Sequence, residues 1–172
     1  SYANVLRYRR DIGNSSTLGV IVSDREGQSY YNRVGGIDGL IRFTKSDRIQ
    51  FQVLGTRTRY PDSVVDEYEQ PSGSFGGYGI DLGIVRERKH YFLFAEYQDK
   101  SPEFRADLGF VPQVDFRTVE FGGGYNIWGK KGSILTQAQF SANYDHTWDH
   151  DGNLLERELE GSVFAQGPLQ SL

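Results

Sequence analysis

The 172-residue sequence contains no cysteine and no methionine, and only five prolines. The missing cysteine excludes a disulfide framework, a thiol nucleophile, Cys-ligated zinc and an Fe–S cluster. No run of ~18 apolar residues occurs, which excludes a transmembrane helix. Charge has no dominant sign. Lys and Arg number 19 and Asp and Glu 23, for a net charge of −4 spread along the chain. That leaves no basic footprint for nucleic acid, and no nucleic-acid partner is expected. Few prolines and many aromatics argue against disorder. The chain starts Ser1-Tyr2, with neither an initiator Met nor a charged-then-apolar leader, and reads as a mature or excised piece.

Glycine (21 residues) and aromatics (Tyr 11, Phe 11, Trp 2) are what the sequence has in quantity. They sit in a pattern of period two. Ile37, Gly39, Ile41 and Phe43 alternate with Asp38, Leu40, Arg42 and Thr44. Tyr78, Ile80, Leu82 and Ile84 alternate with Gly79, Asp81 and Gly83, and Val119, Phe121, Gly123, Tyr125 and Ile127 with Thr118, Glu120, Gly122 and Asn126. The pattern predicts about nine strands, over 2–11, 16–24, 33–45, 48–60, 74–86, 89–98, 115–128, 133–146 and 154–165. Several exceed the usual five or six residues and reach the ~9–11 that a tilted membrane-spanning strand needs.

Connections of two lengths alternate. Asp11–Ser15, Lys45–Asp47, Glu87–Arg88 and Gly129–Gly132 are tight; Asp24–Asn32, Pro61–Gly73, Asp99–Val114 and Thr147–Asn153 are longer. Short turns on one rim and long loops on the other are the habit of up-and-down outer-membrane barrels. One apolar residue in two then satisfies the lipid face, which reconciles a mean hydropathy of −0.55 with a bilayer. Tyr30, Tyr31, Tyr60, Tyr78, Tyr91, Tyr97, Trp128 and Trp148 fall near strand ends, where interfacial girdles sit. The expectation is an all-β, antiparallel up-and-down meander forming a segment of a transmembrane β-barrel, with 1–172 as one barrel domain or part of a larger barrel. Nine is odd where single-chain bacterial barrels are even, and an open meander would leave two bare edges in lipid.

Three stretches carry a family resemblance: Leu6-Arg-Tyr-Arg-Arg-Asp-Ile-Gly13 with Ser15-Ser-Thr-Leu-Gly19; Asn32-Arg-Val-Gly-Gly-Ile-Asp38; and Ser101-Pro-Glu-Phe-Arg-Ala-Asp-Leu-Gly-Phe-Val-Pro112 with Asp115-Phe-Arg117. They resemble the C-terminal outer-membrane β-barrel domain of unknown function found in Gram-negative proteins that carry an N-terminal family-nine carbohydrate-binding-like module. The resemblance runs from about residue 4 to about 165. It implies an outer-membrane location and a chain that is an internal slice of a longer barrel, and the family has no established enzymatic activity to carry over.

Candidate functional residues fall into three groups. Arg7, Arg9, Asp38, Arg42, Asp81 and Glu120 occupy polar positions of the alternating strands and are the lumen-facing charged candidates, paired with one another or forming a selectivity ring. Arg10, Arg33, Arg57, Arg59 and Glu96 are further members of the same pairing. Phe104, Arg105, Asp107 and Phe110 lie in the long connection Asp99–Val114. Pro102, capped by Ser101, predicts a short helix there, and the loop is expected to act as a plug or to cover a rim. Asp149, Asp151 and Asn153 have the i, i+2, i+4 oxygen spacing of a calcium loop, or form a turn-forming Asp-Gly-Asn loop. No cofactor is expected. No Gly-x-Ser-x-Gly elbow is present, and Gly122-Gly-Gly124 stands in mid-strand rather than in a phosphate loop.

The expected function is therefore a non-enzymatic outer-membrane barrel element of a Gram-negative bacterium, structural or passage-forming. Its partners would be the lipid bilayer and further strands of the same barrel or other outer-membrane subunits. The alternative is a soluble extracellular β-sandwich or barrel that binds glycans, and a third reading is an outer-membrane hydrolase. A continuous exposed apolar belt separates the first reading from the second.

Overall fold

A computed structural model describes residues 1–13, 15–130 and 132–167. Asn14, Lys131 and the C-terminal 168–172, which complete two of the predicted turns and the tail, lie outside the described residues. The strands are β1 (Tyr2–Ile12), β2 (Ser16–Gly27), β3 (Tyr30–Arg42), β4 (Asp47–Arg59), β5 (Ser74–Glu87), β6 (Tyr91–Lys100), β7 (Phe116–Trp128), β8 (Gln137–Trp148) and β9 (Leu154–Gln166). One short helix, α1 (Asp62–Tyr68), follows β4. The fold is an all-β, antiparallel, up-and-down meander in which each strand pairs with the next in sequence.

Each predicted segment contains a strand, because period two puts most of the apolar residues on one face. The connections depart further from expectation. β2 and β3 run up to Gly27 and from Tyr30, so Asp24–Asn32 is mostly strand; its run of charge lies where both faces are polar. The β7–β8 connection is longer than the predicted Gly129–Gly132 turn, since β8 begins only at Gln137. The first rim thus holds the connections 13–15, 43–46, 88–90 and 129–136, and the second rim holds 28–29, 60–73, 101–115 and 149–153.

The sheet is not closed into a barrel. β1 and β9 are its two ends and do not pair. With nine alternating strands, β1 and β9 run in the same direction, so direct closure would need a parallel seam in an otherwise antiparallel sheet.

Following the register across the sheet separates two faces. Arg7, Ile21, Gly36, Leu54, Gly79 and Lys100 are successive cross-strand partners on one. This face is the more polar one, with Asp38, Gln52, Asp81, Gln98 and Thr118 in one row and Gln50, Gly83, Glu96, Glu120, Asp145 and Glu158 in the next, although apolar residues such as Ile21, Leu54 and Phe94 also stand on it. The opposite face carries Leu6, Val20, Ile37, Val53, Ile80 or Leu82, Leu93, Phe121, Phe140 and Val163 in mid-strand. Most of these are open to solvent; Leu6 is 70 % and Val163 70 % exposed. No second layer covers them among the described residues. The buried hydrophobic residues among those described are Val34, Phe75, Phe104 and Ala138, too few for a sandwich core.

Candidate functional site

The six charged candidates Arg7, Arg9, Asp38, Arg42, Asp81 and Glu120 all lie on the polar face. Asp38 is buried and receives two hydrogen bonds from Arg7 Nη2, each 2.8 Å, with Arg9 Nη2 at 3.7 Å. Asp81 has Lys100 Nζ at 3.8 Å. The rest of the expected pairing does not form. Arg42 stands opposite Arg48, which pairs instead with Glu87 at 2.6 Å. Glu120 stands between Glu96 and Asp145 in the ladder. Arg10, Arg33, Arg57 and Arg59 point to the opposite, apolar face, because each is one residue out of phase with the polar set.

The connection 101–115 folds back over the polar face at the second rim, across β5 and β4 as far as β3. Phe104 anchors it, 2 % exposed. Its seat is made by two glycines of β5. A Cβ at Gly79 would meet the Phe104 ring at 3.2 Å, and one at Gly77 would stand 2.4 Å from the Phe104 amide nitrogen. Only glycine leaves room for a second backbone to approach the sheet this closely. Asn32, itself buried, donates through Nδ2 to Thr58 Oγ1 (2.8 Å) and to the Arg105 carbonyl (2.9 Å), and its Oδ1 accepts from the Asp107 amide (3.0 Å). Asp107 accepts from the Tyr30 hydroxyl at 2.6 Å and the Tyr60 hydroxyl at 2.9 Å. The two tyrosine rings stack at 5.9 Å. Burial and the adjacent Asp107 carboxylate push the Tyr60 hydroxyl far above its ordinary value, so it keeps its proton and remains a donor. Arg105 Nε donates to Gln70 Oε1 at 2.9 Å and ties the loop to the segment after α1.

Of the four loop candidates, Phe104, Arg105 and Asp107 are brought together and Phe110 is not: it is 90 % exposed. The helix expected at Pro102 is replaced by turns, closed by Phe104 N to Ser101 O (3.1 Å) and Gly109 N to Ala106 O (2.8 Å). Ser101 Oγ is taken by the Tyr78 amide at 2.8 Å rather than capping a helix. Tyr30 and Tyr60, expected in an outer girdle, hold the loop instead. Tyr31, Tyr78, Tyr91, Tyr97 and Trp148 are on the apolar face near the strand ends, whereas Trp128 is on the polar face, its indole donating to the Lys89 carbonyl at 2.7 Å.

The 149–153 turn is closed by its own hydrogen bonds. Asp149 accepts from the Asn153 amide and side chain, both at 2.7 Å, and these bonds hold its carboxyl below the usual range. Its oxygens, and the Asn153 amide nitrogen facing them, are thus committed to the turn that Asp-Gly-Asn favours. Among the described residues no group of three or more His, Cys, Asp and Glu is placed to hold a metal ion.

Sequence reasoning noted His150 in the 149–153 turn but missed its partners. It lies between Asp99 and Asp115, with Nε2 3.0 Å from Asp99 Oδ1 and Nδ1 2.9 Å from Asp115 Oδ1. Asp99 also accepts from Tyr97 at 3.0 Å and Arg117 at 3.3 Å. This cluster ties the 149–153 turn to β6 and β7 on the apolar side. His90 and His146 meet the Asn126 carbonyl and the Tyr144 hydroxyl, so no histidine of the described residues is bonded to a serine. No family model, curated protein or solved structure matches the chain.

Proposed function

We propose that the chain is part of a β-barrel in the outer membrane of a Gram-negative bacterium, a non-enzymatic element that is structural or passage-forming. The observation that carries this reading is the apolar belt. On that face the charged side chains stand only near the strand ends: Asp24, Glu26, Arg33, Arg57, Arg59, Asp99, Arg117 and Arg157 toward the second rim, Arg10, Asp47 and Arg86 toward the first. Between them the face is uncharged across all nine strands. Val119 to Ile127 is nine residues, within the ~9–11 that a tilted strand needs to cross the apolar band. Tyrosines and a tryptophan at its margins suit the two interfaces.

In this reading the polar face lines the lumen and the 101–115 loop narrows it. The bare edges of β1 and β9 cannot remain in hydrocarbon; further strands of the same barrel or other outer-membrane subunits cover them. The resemblance of Ser101–Pro112 to the Gram-negative barrel domain agrees with this assignment. Extraction with detergent, followed by gel electrophoresis with and without boiling, tests it. The expected result is that the complete barrel containing this chain needs detergent and migrates differently before and after heating. Full solubility without detergent would overturn the reading in favour of a soluble glycan-binding β module.

A further inference from the structure

At the second rim, β3 and β4 set three arginines, Arg33, Arg57 and Arg59, on the apolar face. Arg33 stands directly opposite Arg57, and Tyr31 opposite Arg59; Arg57 and Arg59 share one face of β4, ~7 Å apart. Of the arginines that the interior strands β2–β8 set on this face, three have carboxylate partners. Arg33 is met by Asp24 at 3.2 Å and by Glu26, Arg86 by Asp47 at 2.6 Å, and Arg117 by Asp99 at 3.3 Å. Arg57 and Arg59 have none within 4.0 Å among the described residues, the acidic side chains of α1 included. Both are exposed. Arg57 lies along Gly76 of β5, where a Cβ would meet its Cδ at 3.6 Å. Beside the pair, the Tyr31 hydroxyl donates to Ser74 Oγ at 2.7 Å. The uncharged belt begins two positions further along each strand, at Gly35 and Gly55, and continues through Ile37 and Val53.

Like charges held side by side at the edge of a low-dielectric layer repel strongly unless an anion joins them. A guanidinium pair matches a phosphate in charge and in its fork of donors. At the height where the belt ends, the phosphate available is that of a lipid headgroup. We propose that Arg57 and Arg59, with the Tyr31 and Ser74 hydroxyls beside them, bind the phosphate of an anionic membrane lipid. The site rests on the membrane reading above. It positions the barrel vertically by holding the second rim at the headgroup level, as the paired arginines cannot.

Native mass spectrometry of the complete barrel that contains this chain, solubilised in detergent and titrated with phosphatidic acid or phosphatidylcholine, tests the site. The expected result is preferential retention of phosphatidic acid. Affinity falls roughly thirtyfold in the Arg57→Gln/Arg59→Gln variant, about fivefold in either single variant, and little in Arg57→Lys/Arg59→Lys. Arg86→Gln, at the opposite rim, leaves it unchanged. Equal retention by the wild type and the double Gln variant would overturn the proposal. Displacement of the lipid by millimolar inorganic phosphate would overturn it too, as a free-phosphate site. The heat-dependent gel shift is read on the same samples. A chain that keeps the shift but shows no lipid preference refutes this site alone, whereas a wild type with no shift and no need of detergent refutes the membrane reading itself.

Discussion

A methyl group at Gly77 would stand 2.4 Å from the Phe104 amide nitrogen and 2.6 Å from the Glu103 carbonyl carbon. Both are backbone atoms that no rotamer change can move aside, so Gly77→Ala must lift the loop off β5. Burying a Phe side chain contributes ~2 kcal/mol, and its loss raises the undocked fraction roughly thirtyfold. Arg105, whose side chain and carbonyl are engaged in the docked loop, then becomes open to trypsin. Limited proteolysis is expected to cut Gly77→Ala at Arg105 far faster than the wild type; equal rates would mean that the glycine seat does not hold the loop. The loop's side of this contact was legible, since Phe104, Arg105 and Asp107 stand out in a distinctive segment. Its receiving side was not. Asn32, Thr58, Gly77 and Gly79 look like any other polar-face positions, and nothing local in a strand reports which distant loop will lie on it.

At the scale of elements, the loop and the sheet were read with different success for one reason. Period two is a property of each strand by itself, so the nine strands could be placed from sequence, as could the common face of Arg7, Asp38, Asp81 and Glu120. Connections obey no such rule. Pro102 and Ser101 suit a helix start, yet the Phe104 seat and the Tyr78 amide draw the chain into turns instead. The pairing of His150, which joins β6, β7 and the 149–153 turn through Asp99 and Asp115, was not legible because these partners are 51 and 35 residues away. The docked loop makes a prediction at this scale. Deleting Glu103 to Phe110 removes Phe104, Arg105 and Asp107 from the polar face while sparing the β6 and β7 ladders. Single-channel conductance of the reconstituted closed barrel is expected to rise; unchanged conductance would show that the loop covers a rim and does not narrow the lumen.

For the whole molecule, the open sheet and the docked loop point the same way. A barrel of about eight strands has an interior just wide enough for its own side chains. The polar face already holds the loop 101–115 besides its lining residues, so nine strands closed on themselves would be too narrow. An odd number of added strands keeps the sheet antiparallel and gives the even count usual for bacterial barrels. The belt on the other face remains the central claim, and the absence of native cysteine makes it directly measurable. Single cysteines at Leu82 and Phe121 on the apolar face, and at Asp81 and Glu120 on the polar face, would each carry an environment-sensitive fluorophore in protein reconstituted into vesicles. Lipids brominated on the acyl chain are predicted to quench the labels at 82 and 121, with blue-shifted emission, and to leave those at 81 and 120 unquenched. Equal quenching at all four positions, or none at any, would contradict a lipid-facing belt.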